Sequence, residues 1–222
     1  MTQKVPEMIQ LSAPELLTLR GENGAVFLGG SQTWYALPWR RMSGCGPTNA
    51  SNLIWYLARS RPGLRPLWEA GDGGTDRFLE LMNCMFDYVK PGMRGVNSTA
   101  LFVDGALRFA QMKGLQLDAQ VLEIPREAGE RPSFGQVRAF VCGALEKDRP
   151  VAFLNLSNGA VRNLDNWHWV LLAAAQPRGG HVTMWDQGYK SEIDLELWLQ
   201  TTTNGGGFVT LEESGGKPNS DA

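Results

Sequence analysis

The chain has 222 residues, enough for one well-buried domain and short for two; 43% of them are hydrophobic and 20% charged, ordinary proportions for a soluble globular protein. A formal net charge of -2 supplies no field that would gather nucleic acid or an anionic membrane surface, so neither is expected as a partner. Three cysteines without a Cys-x-x-Cys pair suit a reducing compartment, and MTQKVPEMIQLSAPELL, broken by Lys4, Glu7 and Glu15, lacks the apolar run of an export signal, so a cytoplasmic location is expected.

In chain order, the first signal is LSAPELL, where Ser12 and Glu15 have the spacing of a capping box and Pro14 suits a first helical turn. A short N-terminal helix is expected there. In MSGCGPTNASNLIWYLARS a cysteine stands between two glycines. Pro47 fits the first turn of a helix because its missing N–H would find no partner there, and Leu53, Ile54, Leu57 and Ala58 mark one helical face. Cys45 is thereby placed at a helix N-terminus. Phe78, Leu81, Met82, Met85, Phe86 and Val89 recur at helical spacing and predict a helix over about 76–90, closed by Pro91. Ser98 and Ser133 read as caps of two further helices, reaching about Lys113 and Lys147.

After Pro150 the pattern changes. PVAFLNLS, HWVLLAAA and HVTMWDQ are short apolar or alternating runs separated by Asn-Gly and Arg-Gly-Gly turns, the pattern of an antiparallel meander. EIDLELWLQ reads as one short helix capped by Asp194, and GGGFVTLE as a last strand. Helices first and strands later argue an α+β fold. With no repeat or linker, the chain divides into one domain over 1–212 and a flexible polar tail over 213–222.

A thiol at a helix N-terminus feels the positive end of the helix dipole and unpaired N–H groups, both of which favour the thiolate, the nucleophilic form. The glycines beside Cys45 would let a substrate backbone approach closely. Cys84 and Cys142, on helix flanks, read as small buried hydrophobes. A nucleophilic cysteine needs a base, and His168 and His181 are the two histidines. His168 is preferred because it opens a strand after a turn-rich segment, where a side chain can enter a cleft. Antiparallel pairing across the turn at 177–180 places His168 opposite about 187–189, which brings Asp186 close enough to orient the ring. Asp165 and Asp194 are explained as a turn residue and a helix cap. No phosphate loop, dinucleotide motif or zinc spacing is present, so no metal or cofactor is expected.

A cysteine, a histidine about 120 residues on and an acid on the next strand follow the order of papain-like cysteine peptidases. GCGPTNASNLIWYL, NWHWVLLAA and WDQGYKSEIDLELWLQTTTNGGGFV together resemble a branch of bacterial proteins related to the peptidases that cut bacteriocin leaders after a double glycine. The resemblance implies a papain-like fold, a peptide or protein substrate, and a triad of nucleophile Cys45, general base His168 and orienting Asp186. It also implies a cleft narrow beside Cys45 that takes Gly or Ala before the cut. The family's oxyanion glutamine precedes the cysteine by about six residues, where this chain has Trp39. Gln32, carried back to the cleft by a longer loop, is the expected replacement beside the Cys45 backbone N–H. Amide transfer or deamidation would use the same residues, and a silent papain-like module that only binds peptide or protein is the alternative outside enzymes.

Overall fold

A computed structural model describes residues 6–215 apart from residues 70 and 72. In chain order these form short strands β1 (Ile9–Gln10), β2 (Thr18–Arg20) and β3 (Val26–Leu28), then helices α1 (Pro38–Ser43), α2 (Cys45–Ser60), α3 (Thr75–Tyr88) and α4 (Thr99–Met112). Strand β4 (Leu117–Ile124), helix α5 (Phe134–Glu146) and strands β5 (Val151–Asn155), β6 (His168–Ala175), β7 (His181–Asp186) and β8 (Tyr189–Asp194) follow. Helix α6 (Leu195–Thr201) and strand β9 (Gly206–Glu213) close the order. The fold is α+β, as the order of patterns argued.

Helix α2 is the centre of the molecule. Every residue from Cys45 to Ala58 is buried, and the helix packs against α3, α4 and strands β5, β6 and β9. Its first turns carry Thr48, Asn49, Ser51 and Asn52, polar residues that a buried helix tolerates only with partners or a function. Ser51 Oγ donates to Pro47 O at 2.8 Å, and Asn52 Oδ1 accepts from Gly30 N at 3.0 Å. Packing alone requires the two glycines around Cys45. A Cβ on Gly44 would meet Tyr35 Cε2 at 2.4 Å, and one on Gly46 would meet Val96 at 2.7 Å.

The main sheet is antiparallel, in the order β4-β9-β5-β6-β7-β8, with β1 paired to the end of β6. The meander expected after residue 150 is thus β5 to β8 in sequence order. All residues of β5 and β6 are buried, so both faces of these strands are covered. The β6–β7 register pairs Leu171 with Trp185 and Leu172 with Met184, which brings the start of β6 beside the end of β7.

Helix caps follow the chemistry of their residues. Ser98 Oγ accepts from Leu101 N, Ser133 and Gln136 form a reciprocal capping box, and Asp194 Oδ1 accepts from Leu197 N at 2.9 Å. The capping box expected at Ser12 and Glu15 does not form. Residues Pro14–Leu17 make a single 3-10 turn with Ala13 at its start and no side-chain cap, because the Ser12 backbone N–H is instead held by Asp148 Oδ1 at 2.7 Å. At the other end β9 continues through Glu213, one residue past the expected boundary, and residues 216–222 of the expected tail lie outside the described residues.

Candidate active site

Cys45 is the first residue of α2, where backbone N–H groups have no acceptor one turn back. His168 opens β6 and is 5% exposed; Asp186 ends β7. Their side chains meet, His168 Nε2 to Asp186 Oδ1, at 2.7 Å. Cys45 lines the same small pocket as the ring, so a sulfur and a carboxylate both act on the imidazole. Burial alone would push the His168 pKa down by penalising the charged form. Hydrogen bonds and negative charge from Asp186 and Cys45 outweigh it and push the value up to about 10. Both groups favour the protonated ring at neutral pH.

The backbone around this trio is unusual. Among the described residues three non-glycines adopt left-handed φ, and two of them, Trp167 at 55° and Gln187 at 52°, directly adjoin His168 and Asp186. Such conformations persist where surrounding structure over-determines them, and they gather at functional sites. The turned backbone at Trp167 brings its carbonyl oxygen to 4.0 Å from Cys45 Sγ.

Gln32 returns to the site as the longer-loop argument expected. It begins a 3-10 turn, Gln32–Trp34, between β3 and α1, and it borders a small polar pocket shared with Cys45, His168 and Asp186. Thr48, Asn49 and Asn52 of α2 and Gln187 of the β7–β8 turn complete the polar lining. Gln32 Oε1 and both amide atoms of Asn49 are buried without a hydrogen-bond partner among the described residues, leaving acceptors and a donor that a polar group entering the pocket would satisfy. Asn49 and Gln187 escaped the sequence reading. Asn49 stands four residues after Cys45, on the same helical face, and that spacing was the available signal.

On its other side Cys45 borders an apolar groove of about 590 Å³, walled by Trp39, Met42, Met93, Val96, Leu154 and Trp167. Arg94 is its charged lining residue. On this side of Cys45 the surface is open. Trp39, which occupies the position of the expected glutamine, stands half exposed over Phe86 at 5.1 Å and forms part of this wall. Of the other tryptophans near the motifs, Trp169 stacks on Phe102 at 4.3 Å and donates to Val96 O at 2.6 Å, tying β6 to the groove's edge; Trp34 packs edge-on against Phe27 and Phe78.

The remaining candidates fall outside the site. His181 is exposed at the opposite end of β7 from Asp186, paired with Asp194 across to β8. Burial pushes the thiols of both Cys84 and Cys142 up, which makes them poorer nucleophiles. Asp165, read as a turn residue, is exposed but comes close: its carboxylate, His168 and Asp186 hold potential ligand atoms within 4.8 Å of one another. Within this cluster the imidazole Nε2 is engaged by Asp186 Oδ1 at 2.7 Å. No helix among the described residues is long and apolar enough to cross a membrane. Compared with known protein families and with curated proteins, the chain matches no family model and no curated sequence.

Proposed function

We propose that the protein is a cysteine peptidase of papain-like architecture, cleaving a peptide or isopeptide bond through Cys45, His168 and Asp186. The observation that carries this reading is the buried imidazole hydrogen-bonded to Asp186 and sharing one small pocket with Cys45, with its pKa raised to about 10 by those two groups. The position of a thiol at the start of a buried helix packed on an antiparallel sheet, in the chain order noted above, supports the papain-like assignment.

In this mechanism the Cys45 thiolate attacks the scissile carbonyl carbon while His168 holds the proton. Negative charge developing on the carbonyl oxygen is met by the Cys45 backbone N–H and the Gln32 side-chain amide. His168 then gives its proton to the departing amine, the C–N bond breaks, and a thioester to Cys45 remains. Water attacks the thioester as His168 takes one of its protons, releasing the acid and restoring the Cys45 thiolate beside protonated His168. Asp186 keeps the ring oriented and its charge compensated throughout. The apolar groove supports a substrate with a bulky apolar side chain near the scissile bond, since about 590 Å³ lies in the range of ligand pockets and exceeds what Gly or Ala would fill.

A brief, sub-stoichiometric iodoacetamide pulse at pH 6, read by intact mass and peptide mapping, tests the thiol. The expected result is alkylation at Cys45 well ahead of Cys84 and Cys142. A mixed peptide library read by mass spectrometry tests the reaction. Equal labelling of the three cysteines and no cleavage would overturn the proposal and leave a binding module.

A further inference from the structure

The turn that carries the triad acid also grips the loop that carries Gln32. Asp186 pairs with Tyr189 across a two-residue turn, Gln187-Gly188, with φ of 52° and 86°. Turns of this geometry are filled by Asn-Gly or Gly-Gly because both central residues need positive φ. A glutamine at the first position is an unfavourable choice for the backbone, so its side chain must do something an asparagine or glycine would not. Its Oε1 accepts two hydrogen bonds from the Gln32 loop, from Ser31 Oγ at 2.7 Å and from the Gln32 backbone N–H at 3.1 Å. Ser31 is 3% exposed and in turn caps the Gln32–Trp34 turn by accepting from Thr33 N at 3.2 Å. One residue on, Gly188 O accepts from Leu28 N at 2.8 Å, so the turn is fastened to the segment before Gln32 as well. Phe27 closes over Gly188, where an added Cβ would stand 3.0 Å from its ring.

We infer that Gln187 is a positioning residue for the oxyanion donor: it fixes Gln32 relative to Asp186, so that the acid, the base bonded to it and the donor of the reaction are tied together through one turn. The inference rests on the peptidase reading for its catalytic consequence, while the mechanical link from Gln187 to Gln32 stands on the two hydrogen bonds. Both donors converge on Oε1 alone. A glutamate therefore keeps the acceptor, whereas an asparagine, one methylene shorter, withdraws it.

Gln187→Gly is the informative variant, because glycine suits the left-handed backbone and removes only the side chain. Thermal unfolding should show it at least as stable as the parent. Hydrogen exchange of the Gln32 backbone amide should accelerate by tenfold or more, with the β6 and β7 amides unchanged. Turnover of a library-derived peptide should fall through kcat rather than KM, with Cys45 alkylation unaffected, since an oxyanion donor acts in the transition state. Gln187→Glu should restore most of the loss. In a Gln32→Ala background Gln187→Gly should cost nothing further. Unchanged exchange at Gln32, or losses that multiply in the double variant, would overturn the inference. If the parent protein cleaves nothing and Cys45 labels unselectively, the peptidase reading fails by itself, and the exchange at Gln32 still decides whether Gln187 holds that loop.

Discussion

The two sides of Cys45 differ in every respect that matters to a reacting thiol. One is a tight polar pocket formed by Gln32, Thr48, Asn49, Asn52, His168 and Asp186, several of them buried and some without partners. The other is a broad groove of aromatic, thioether and aliphatic side chains, with Trp39, Met42, Met93 and Trp167 partly or fully exposed. Fixed dipoles in a dry pocket are worth most where charge changes during reaction, while apolar surface discriminates by shape and contributes little to charge. Under the proposed function the contrast implies a division of labour: chemistry on the polar side and selection on the apolar side. Substitutions on the first should act on kcat, and on the second on KM and specificity.

The largest effect is expected from the polar side. Cys45→Ser or His168→Ala should lower peptide turnover by roughly 10⁴-fold or more, the scale of losing a member of a catalytic triad. His181→Ala, at the far end of β7, should leave it near the parental value. Equal losses at the two histidines, measured by steady-state cleavage, would remove the basis for assigning the base to His168. Gln32→Ala comes next, with a loss of about 10²–10³ in kcat and no change in Cys45 alkylation rate, as for a single oxyanion donor. A matching fall in alkylation would mean that Gln32 supports the resting thiol instead.

The apolar side should respond more mildly. Trp167→Ala or Leu154→Ala should reduce kcat/KM for peptides with a bulky apolar residue by about 10- to 100-fold, mostly through KM, and leave Gly- and Ala-containing peptides nearly unaffected. The peptide library adjudicates directly between the groove and the narrow cleft that resemblance to leader peptidases implies. Preference for Gly-Gly before the cut, unmoved by these substitutions, would show that the groove lies outside the substrate path.

What the sequence disclosed, and what it hid, follows the same physics of burial. The strands read correctly, β5, β6, β7 and β9, lie inside the sheet, where β5 and β6 have both faces covered and so form continuous apolar runs. The two long strands missed, β4 and β8, are its edges; LDAQVLEI breaks the alternation and YKSEID is mostly polar, as exposed edges tend to be. Strands β1 to β3 have two or three residues each, too few to show a period. At the site, His168 and Asp186 were legible because a short hairpin turn fixes which residues face each other. Gln187, Asn49 and Asp165 were not, because their relation to Cys45 depends on loops folding back over more than a hundred residues or on a helix face whose burial only packing decides. Gly44 and Gly46 were visible as glycines, but the sequence offers no sign that Tyr35 and Val96 would fill the space beside them.

The smallest effect tests the electrostatic half of the comparison through stability. A histidine in an unfolded chain titrates near 6.5, and His168 in the folded protein near 10, so the folded state holds this proton more tightly. Its contribution to stability is therefore fully present below about pH 6.5 and is lost as the pH rises through about 10. The difference in unfolding temperature between the parent and His168→Gln should shrink steadily across that window. Asp186→Asn keeps an acceptor for the ring but removes the charge that opposes burial, so the His168 pKa should fall and the slope between pH 6.5 and 10 should flatten; cleavage should drop less than in Asp186→Ala. NMR titration of the His168 ring gives the same quantity without unfolding. A ring that titrates below 6.5 in the parent would mean that burial prevails over Asp186 and Cys45, and that the polar side of the cysteine holds a neutral imidazole rather than a charged one.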